Sequence, residues 1–174
     1  MTEKKRKVLF DENQIKETVK KLGDQISKHY KDQSIIVVPL LRGSFIFAAD
    51  LVREISSPVI IDFMTTSSYE DKECSSGKVE VLQKLRCDIE GKNVLVVDDI
   101  CDSGNTAKNI MDLLSKENPK SIKLAVMLDK PSRRQVDIKP DFVGQTIDDV
   151  FIVGYGLNYG DYYRNVPYIF TFED

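Results

Sequence analysis

The stretch Val94-Leu-Val-Val-Asp-Asp-Ile-Cys-Asp-Ser-Gly-Asn-Thr106 decides how this chain is read. Four consecutive apolar residues without polar alternation predict a strand buried on both faces, as in a parallel sheet. That strand is expected over residues 91–97, and it delivers two adjacent carboxylates, Asp98 and Asp99, to its C-terminal end. The loop Asp102-Ser-Gly-Asn-Thr106 then opens into a helix expected over 106–116. In open α/β sheets, ligands bind beyond the carboxyl ends of the strands. A Ser/Gly/Thr loop at a helix N-terminus offers backbone N–H groups and the positive end of the helix dipole, which suit a phosphate. Gly104 lets the backbone approach closely, and Ser103, Asn105 and Thr106 add side-chain donors. The carboxylates have another task, because they would repel a phosphate. As a pair they suit sugar hydroxyls or Mg²⁺, and Asp102 is a candidate general base. The bland alternative is that all three aspartates are capping and turn residues, where Asp is common.

Outward from this stretch, helix and strand patterns alternate. Asp11 reads as an N-cap for an amphipathic helix over 11–30, with Ile15, Val19, Leu22 and Ile26 on one face. The apolar run 34–40 is a second buried strand, followed by Gly43 and a helix over 44–54. Further strands are expected over 59–64, 79–82, 122–128, 150–154 and 168–172, and residues 1–10 read as a charged arm closing on Val8, Leu9 and Phe10. This order predicts an α/β fold with a mainly parallel sheet. Residues 65–77 are polar, and a segment of that kind inside a compact domain is a functional lid or a disordered loop. No repeat or linker divides the 174 residues, so a single domain is expected.

Composition narrows the function classes. Lys and Arg total 25 against 28 for Asp and Glu, a net charge of −3, which argues against a general nucleic-acid binder. No apolar run reaches the roughly 20 residues of a membrane span, and the basic N-terminus lacks the apolar region of a secretory signal. The three cysteines, Cys74, Cys87 and Cys101, have no metal-ligand spacing and read as reduced thiols of a cytoplasmic protein. The single histidine, His29, lies in a polar helical stretch and reads as a surface residue, which leaves no histidine pair for catalysis or metal.

The segment 94–106 resembles the phosphoribosyl-pyrophosphate-binding motif of type I phosphoribosyltransferases. Four more segments match the hypoxanthine (hypoxanthine-guanine) members: Leu40-Leu-Arg-Gly-Ser-Phe-Ile-Phe-Ala-Ala-Asp50, Asp62-Phe-Met-Thr-Thr-Ser-Ser-Tyr69, Leu128-Asp-Lys-Pro-Ser-Arg-Arg134, and Phe151-Ile-Val-Gly-Tyr-Gly-Leu-Asn-Tyr159 continuing to Tyr163-Arg-Asn-Val-Pro-Tyr168. The resemblance runs from about residue 8 onward. It implies a twisted, mostly parallel sheet flanked by helices, with a small hood over a base pocket. The implied reaction joins a 6-oxopurine to 5-phosphoribosyl 1-pyrophosphate with Mg²⁺.

The resemblance also distributes roles. Asp98 and Asp99 would contact the ribose hydroxyls, directly or through Mg²⁺ and water, and Ser103, Gly104, Asn105 and Thr106 would hold the 5-phosphate. Asp102 would be the general base near N7 of the purine, and Arg42, Gly43 and Arg164 would serve the pyrophosphate. The peptide before Arg42 is often cis in relatives. Lys130 would donate to the purine 6-oxo group, Phe151 would stack on the base, and backbone groups at Ile152 and Asn158 would read its far edge. Arg134 would support the pocket from outside, and Ser68 and Tyr69 would belong to the lid. The metal ligands would be Asp98, Asp99 and Asn158, and the assembly a homodimer or homotetramer.

The chain departs from the pattern in places. Asp98 stands where Glu is common, Arg42 where many relatives have Lys, and Asn158 where Asp is usual, so second-metal binding is expected to be weaker. Gln145 and Thr146 replace an aromatic and an acid. Two other readings compete with the enzyme. One is a ligand sensor on the same fold, which would be expected to lose Asp102 or the lid. The other is a phosphoacceptor receiver domain, which leaves Lys130-Pro131 unexplained.

Overall fold

The computed structural model describes residues 5–68 and 79–173. Its elements, in chain order, are β1 (Arg6–Phe10), α1 (Glu12–Tyr30), β2 (Ile35–Leu41), α2 (Phe45–Arg53), β3 (Val59–Ile61), β4 (Met64–Ser68), β5 (Val79–Gln83), β6 (Asn93–Cys101), α3 (Asn105–Ser115), β7 (Ser121–Asp129), a 3₁₀ turn (Pro131–Arg133), β8 (Phe142–Thr146) and β9 (Ile169–Phe172). The main sheet runs β5-β4-β2-β6-β7-β8, with β3 also paired to β2. All its pairings are parallel except β4–β5. The expected α/β architecture is therefore present.

The unbroken apolar runs are explained by what lies on each face. In β2, Ile35 and Val37 face one core while Ile36, Val38 and Leu40 face the other. Leu95 and Val97 of β6 join the first core, and Val94 and Val96 the second. Helices α1 and α2 cover the first through Ile15, Val19, Leu22, Ile26, Phe47 and Leu51, and α3 covers the second through Ile110 and Leu114. Helix α1 starts as its sequence demands: Gln14 N–H donates to Asp11 Oδ1 at 2.9 Å, and Asp11 N–H donates to Gln14 Oε1 at 2.9 Å, a reciprocal capping box.

Several expectations need correction. The arm 6–10 is a strand, paired antiparallel with β9 into a separate two-stranded sheet. The strand expected over 59–64 is two strands. Asp62 breaks it by turning its carboxylate onto the chain: Oδ1 accepts from Phe63 N–H at 2.9 Å, and Oδ2 from Arg86 and Cys87 N–H at 2.6 and 2.8 Å. Residues 65–68, expected as loop, belong to β4 and pair with β5. The rest of the proposed lid, with Tyr69, lies outside the described residues, as does Cys74. Residues 150–154 form no strand. Val153 makes one isolated bridge to Phe170, because Gly154 takes a positive φ of 100° and turns the chain away. The edge strand β8 was not foreseen. Its interior Gly144 hides it from propensity, yet a β-carbon there would collide with Met127 O, so close approach to β7 requires glycine.

Candidate active site

Strand β6 extends past the expected end, so Asp98 and Asp99 lie within it and only Asp102 follows it. Asp99 N–H donates to Asp98 Oδ1 at 3.0 Å, and Ile100 N–H donates to Asp99 Oδ1 at 2.8 Å. Burial pushes the Asp98 carboxyl well above the usual carboxylate range, and the charge of Asp99 pushes it further. Burial also raises Asp99, against the counter-pull of a hydrogen bond from Asp98 and the Arg164 guanidinium. Two carboxyls raised by burial, with Asp98 disfavoured further by the charge of Asp99, are a site that a hydroxyl array or a cation would stabilise.

The loop after β6 turns through Gly104, which caps α3 at φ 84°. A β-carbon at Gly104 would meet the side chains of Ile138, Arg134 and Val136, so the loop is backed by the segment after β7. Asn105 N–H donates to Ser103 Oγ at 3.3 Å, Asn105 Nδ2 donates to Gln135 Oε1 at 3.0 Å, and Gln135 N–H donates to Ser103 O at 2.9 Å. Ser103, Gly104 and Asn105 are thus fixed in one turn, and Thr106 follows in the first turn of α3.

A second loop converges on the acid pair. The Leu41–Arg42 peptide is cis, and Arg42 is exposed. Buried Ser44 ties the loop down by donating to Leu40 O at 2.6 Å. Gly43 packs against Asp99, and Gly156 packs against Gly43 O, both without room for a β-carbon. Arg164 Nη1 donates to Gly156 O at 2.6 Å, which holds its guanidinium beside the same junction.

The third component follows β7. Lys130 is buried, at 6% exposure, and its N–H donates to Cys101 O at 2.9 Å. Arg134 fastens the backbone beside it: Nη1 donates to Cys101 O at 3.1 Å and Asp102 O at 2.7 Å, and Nη2 donates to Asp129. Burial pushes the nearby Cys101 thiol up to about 11. Sequence reasoning missed the side chain that meets Asp102. Arg133 Nε approaches Asp102 Oδ1 at 3.3 Å, and its Nη1 approaches Asp149 Oδ2 at 3.4 Å. Asp149 and then Asp102 raise the Arg133 guanidinium further above its already high value. The Arg133-Arg134 doublet beside Lys130, and the Asp148-Asp149 pair before Phe151, were the available signals.

Ile152 is buried, whereas Phe151 is 56% exposed and meets Tyr159 edge-on at 5.8 Å between ring centroids. Phe151 is therefore not core, and its open face is available to a planar ligand. Asn158 is exposed and spends Nδ2 on Gly160 O at 2.6 Å, which leaves Oδ1 as its acceptor. Of the two lid residues, Ser68 ends β4 and Tyr69 is outside the described residues. Among the described residues no three His, Cys, Asp or Glu side chains gather into a metal cluster.

Comparison with known proteins gives this arrangement a family. The phosphoribosyl transferase domain model matches residues 6–160. The hypoxanthine phosphoribosyltransferase of Salmonella typhimurium is 47% identical over 164 residues, covering 93% of this chain and 92% of the relative. The hypoxanthine-guanine phosphoribosyltransferase of Aquifex aeolicus is 48% identical over 172 residues, covering 98% and 97%. A crystal structure of a hypoxanthine-guanine phosphoribosyltransferase from Bacillus anthracis, with a HEPES molecule in its active site, superposes with a TM-score of 0.93 at 44% identity, covering 98% of this chain and 100% of that one. Sequence and backbone agree over almost the full length, and the chain belongs to the phosphoribosyltransferase family, in its hypoxanthine (hypoxanthine-guanine) branch.

Proposed function

We propose that the protein is a purine-salvage transferase. It joins hypoxanthine, and guanine, to 5-phosphoribosyl 1-pyrophosphate, giving IMP or GMP and releasing pyrophosphate. The observation that carries this reading is the buried ammonium of Lys130, tied by its backbone to Cys101, one residue before Asp102. A cation and a carboxylate on adjacent backbone match the 6-oxo and N7 edge of an oxopurine. Lysine has donors and no acceptor, so a 6-amino base is refused.

In this mechanism the bond from the sugar C1 to pyrophosphate breaks as N9 of the base bonds to C1, and the N7 proton passes to Asp102. Positive charge builds on the sugar and negative charge on the leaving group. The turn 103–106 fixes the 5-phosphate by backbone N–H groups at the start of α3. Arg42, Gly43 and Arg164 attend the pyrophosphate, where Arg can fork onto two oxygens. Asp98 and Asp99 accept from the ribose hydroxyls. Phe151 stacks on the base, while Ile152 and Asn158 read its far edge by backbone groups. Ser68 and Tyr69 belong to a lid that excludes water from the activated sugar.

Mg²⁺ suits the donor chemistry: Asp98, Asp99 and Asn158 Oδ1 are hard oxygens, and burial together with the charge of Asp99 destabilises the Asp98 carboxylate. When bound, the cation neutralises charge developing on the leaving group. We further propose a single domain, a cytoplasmic location with reduced thiols, and a homodimer or homotetramer. Exposed Ile60, Ile61 and Phe63 around β3 support self-association. No helix of the described residues is long and apolar enough to cross a membrane, and the acidic charge balance speaks against nucleic acid as a partner.

The deciding assay offers hypoxanthine, guanine, xanthine and adenine in parallel, with phosphoribosyl pyrophosphate and Mg²⁺, beside Asp102→Asn. Turnover of hypoxanthine, little of adenine and a large loss in the variant are expected. Binding without turnover of any base would move the reading to a ligand sensor.

A further inference from the structure

Two side chains outside the family motif roles join the groups that would read the base. Lys130 Nζ stands 3.9 Å from Asp149 Oδ1, Asp149 Oδ2 stands 3.4 Å from Arg133 Nη1, and Arg133 Nε stands 3.3 Å from Asp102 Oδ1. The charges alternate along the line from Lys130 to Asp102. We propose that Arg133 and Asp149 form a charge bridge that positions Asp102 and Lys130 together for one edge of the bound base.

The inference deepens the proposed function and rests on it. The turn Pro131–Arg133 folds back on Lys130, with Arg133 N–H donating to Lys130 O at 3.1 Å, so Arg133 reaches Asp102 from a fixed backbone. That backbone is locked to the β6 end by Lys130 N–H on Cys101 O and by Arg134 on Asp102 O. What remains free is the rotation of two side chains, the Asp102 carboxylate and the Lys130 ammonium. The bridge takes hold of both. A guanidinium carries its donors in a rigid planar fork, so engaging two carboxylates at once sets their separation. Arg133 engages one oxygen of Asp102, and a carboxylate has a second to accept a proton from the base. Asp149 likewise spends one oxygen on each cation. Lys130 is buried while the other three groups are half open to solvent. A buried ammonium needs a countercharge, and Asp149 supplies it. The two ion pairs of Arg133 are exposed and add little to stability, so that end of the bridge acts on geometry rather than on folding.

The test uses Arg133→Met, which keeps the stem and removes the fork, and Asp149→Asn, which is nearly isosteric, alone and combined. Arg133→Met should lower kcat on the order of tenfold, within the range that misplacing a catalytic group by about an ångström costs. Its KM for phosphoribosyl pyrophosphate should stay at the wild-type value. Asp149→Asn should raise KM for hypoxanthine on the order of tenfold and narrow the preference for hypoxanthine over adenine, because Lys130 loses its orientation. The double variant should lose less than the product of the two, since both act through one bridge. The melting temperature of Arg133→Met should stay within about 4 °C of wild type, whereas Asp149→Asn, which leaves the buried Lys130 ammonium without its countercharge, should melt lower. Unchanged kcat and hypoxanthine KM in both variants would overturn the bridge. So would losses that track melting temperature and affect both substrates alike. If the wild type turns over no 6-oxopurine, the functional reading fails and the bridge falls with it; if the wild type is active and the variants match it, the bridge alone fails.

Discussion

Gly43 lies against Asp99 so closely that a β-carbon on the glycine would overlap the carboxylate Oδ2. The loop after β2 and the acid pair of β6 are thus one packed unit, although more than 50 residues separate them in the chain. Gly43→Ala must displace either the loop or the carboxylate. An ångström of displacement at a reacting group costs up to about 100-fold. Steady-state kinetics should show kcat/KM for phosphoribosyl pyrophosphate reduced by about that factor, with circular dichroism unchanged.

Asp62 is buried, which raises its pKa, but the backbone donors of Cys87, Arg86 and Phe63 outweigh burial and leave it below the ordinary carboxylate value. A depressed folded-state pKa means the unfolded chain binds the proton more tightly. The stabilisation is therefore complete above the ordinary carboxylate pKa and is lost as pH falls through the folded value. Asp62→Asn should cost about 1–3 kcal/mol at neutral pH, where buried donors lose their charged acceptor. Denaturant melts at a series of pH values should also show a shallower acid decline in the variant than in wild type.

Arg134 joins Asp129 to the carbonyls of Cys101 and Asp102 and is largely buried with its partner. Arg134→Met would strand the Asp129 carboxylate. Breaking one side of a buried pair costs about 3–5 kcal/mol, so chemical denaturation should register a loss of that size. Removing both charges at once, as Arg134→Met with Asp129→Leu, should recover part of it.

Asn158 spends Nδ2 on Gly160 O and keeps Oδ1 as an acceptor without a charge. Asn158→Asp should lower the Mg²⁺ concentration for half-maximal activity. Overlapping Mg²⁺ titration curves for the variant and wild type would remove Asn158 from the metal set.

The elements legible in advance were those whose neighbours are dictated by local pattern. Runs such as Ile35–Leu41 read as strands buried on both faces, as in a covered parallel sheet, and Asp11 reads as the cap of the helix that follows it. Two elements that depend on a distant partner were not legible. The strand Arg6–Phe10 is charged and exists because Ile169–Phe172 pairs with it. The strand Phe142–Thr146 carries a glycine that only the approach of Met127 explains.

The candidate site divides in the same way. Asp98, Asp99, Asp102 and the turn at Gly104 follow one another along a single strand and loop, so their proximity was legible from their order alone. Local spacing also set the fold class, because burial of apolar runs is decided by the residues in them. Which side chains meet across the crevice was decided only by tertiary structure. Arg133 lies 31 residues from Asp102 and Asp149 lies 19 residues from Lys130, yet each pair meets through charge at the ends of β6 and β7. Such contacts depend on how parallel strands are laid side by side and how the following turns fold back. No periodicity within one segment records that placement, because the free energy that selects it is shared among segments far apart in the chain.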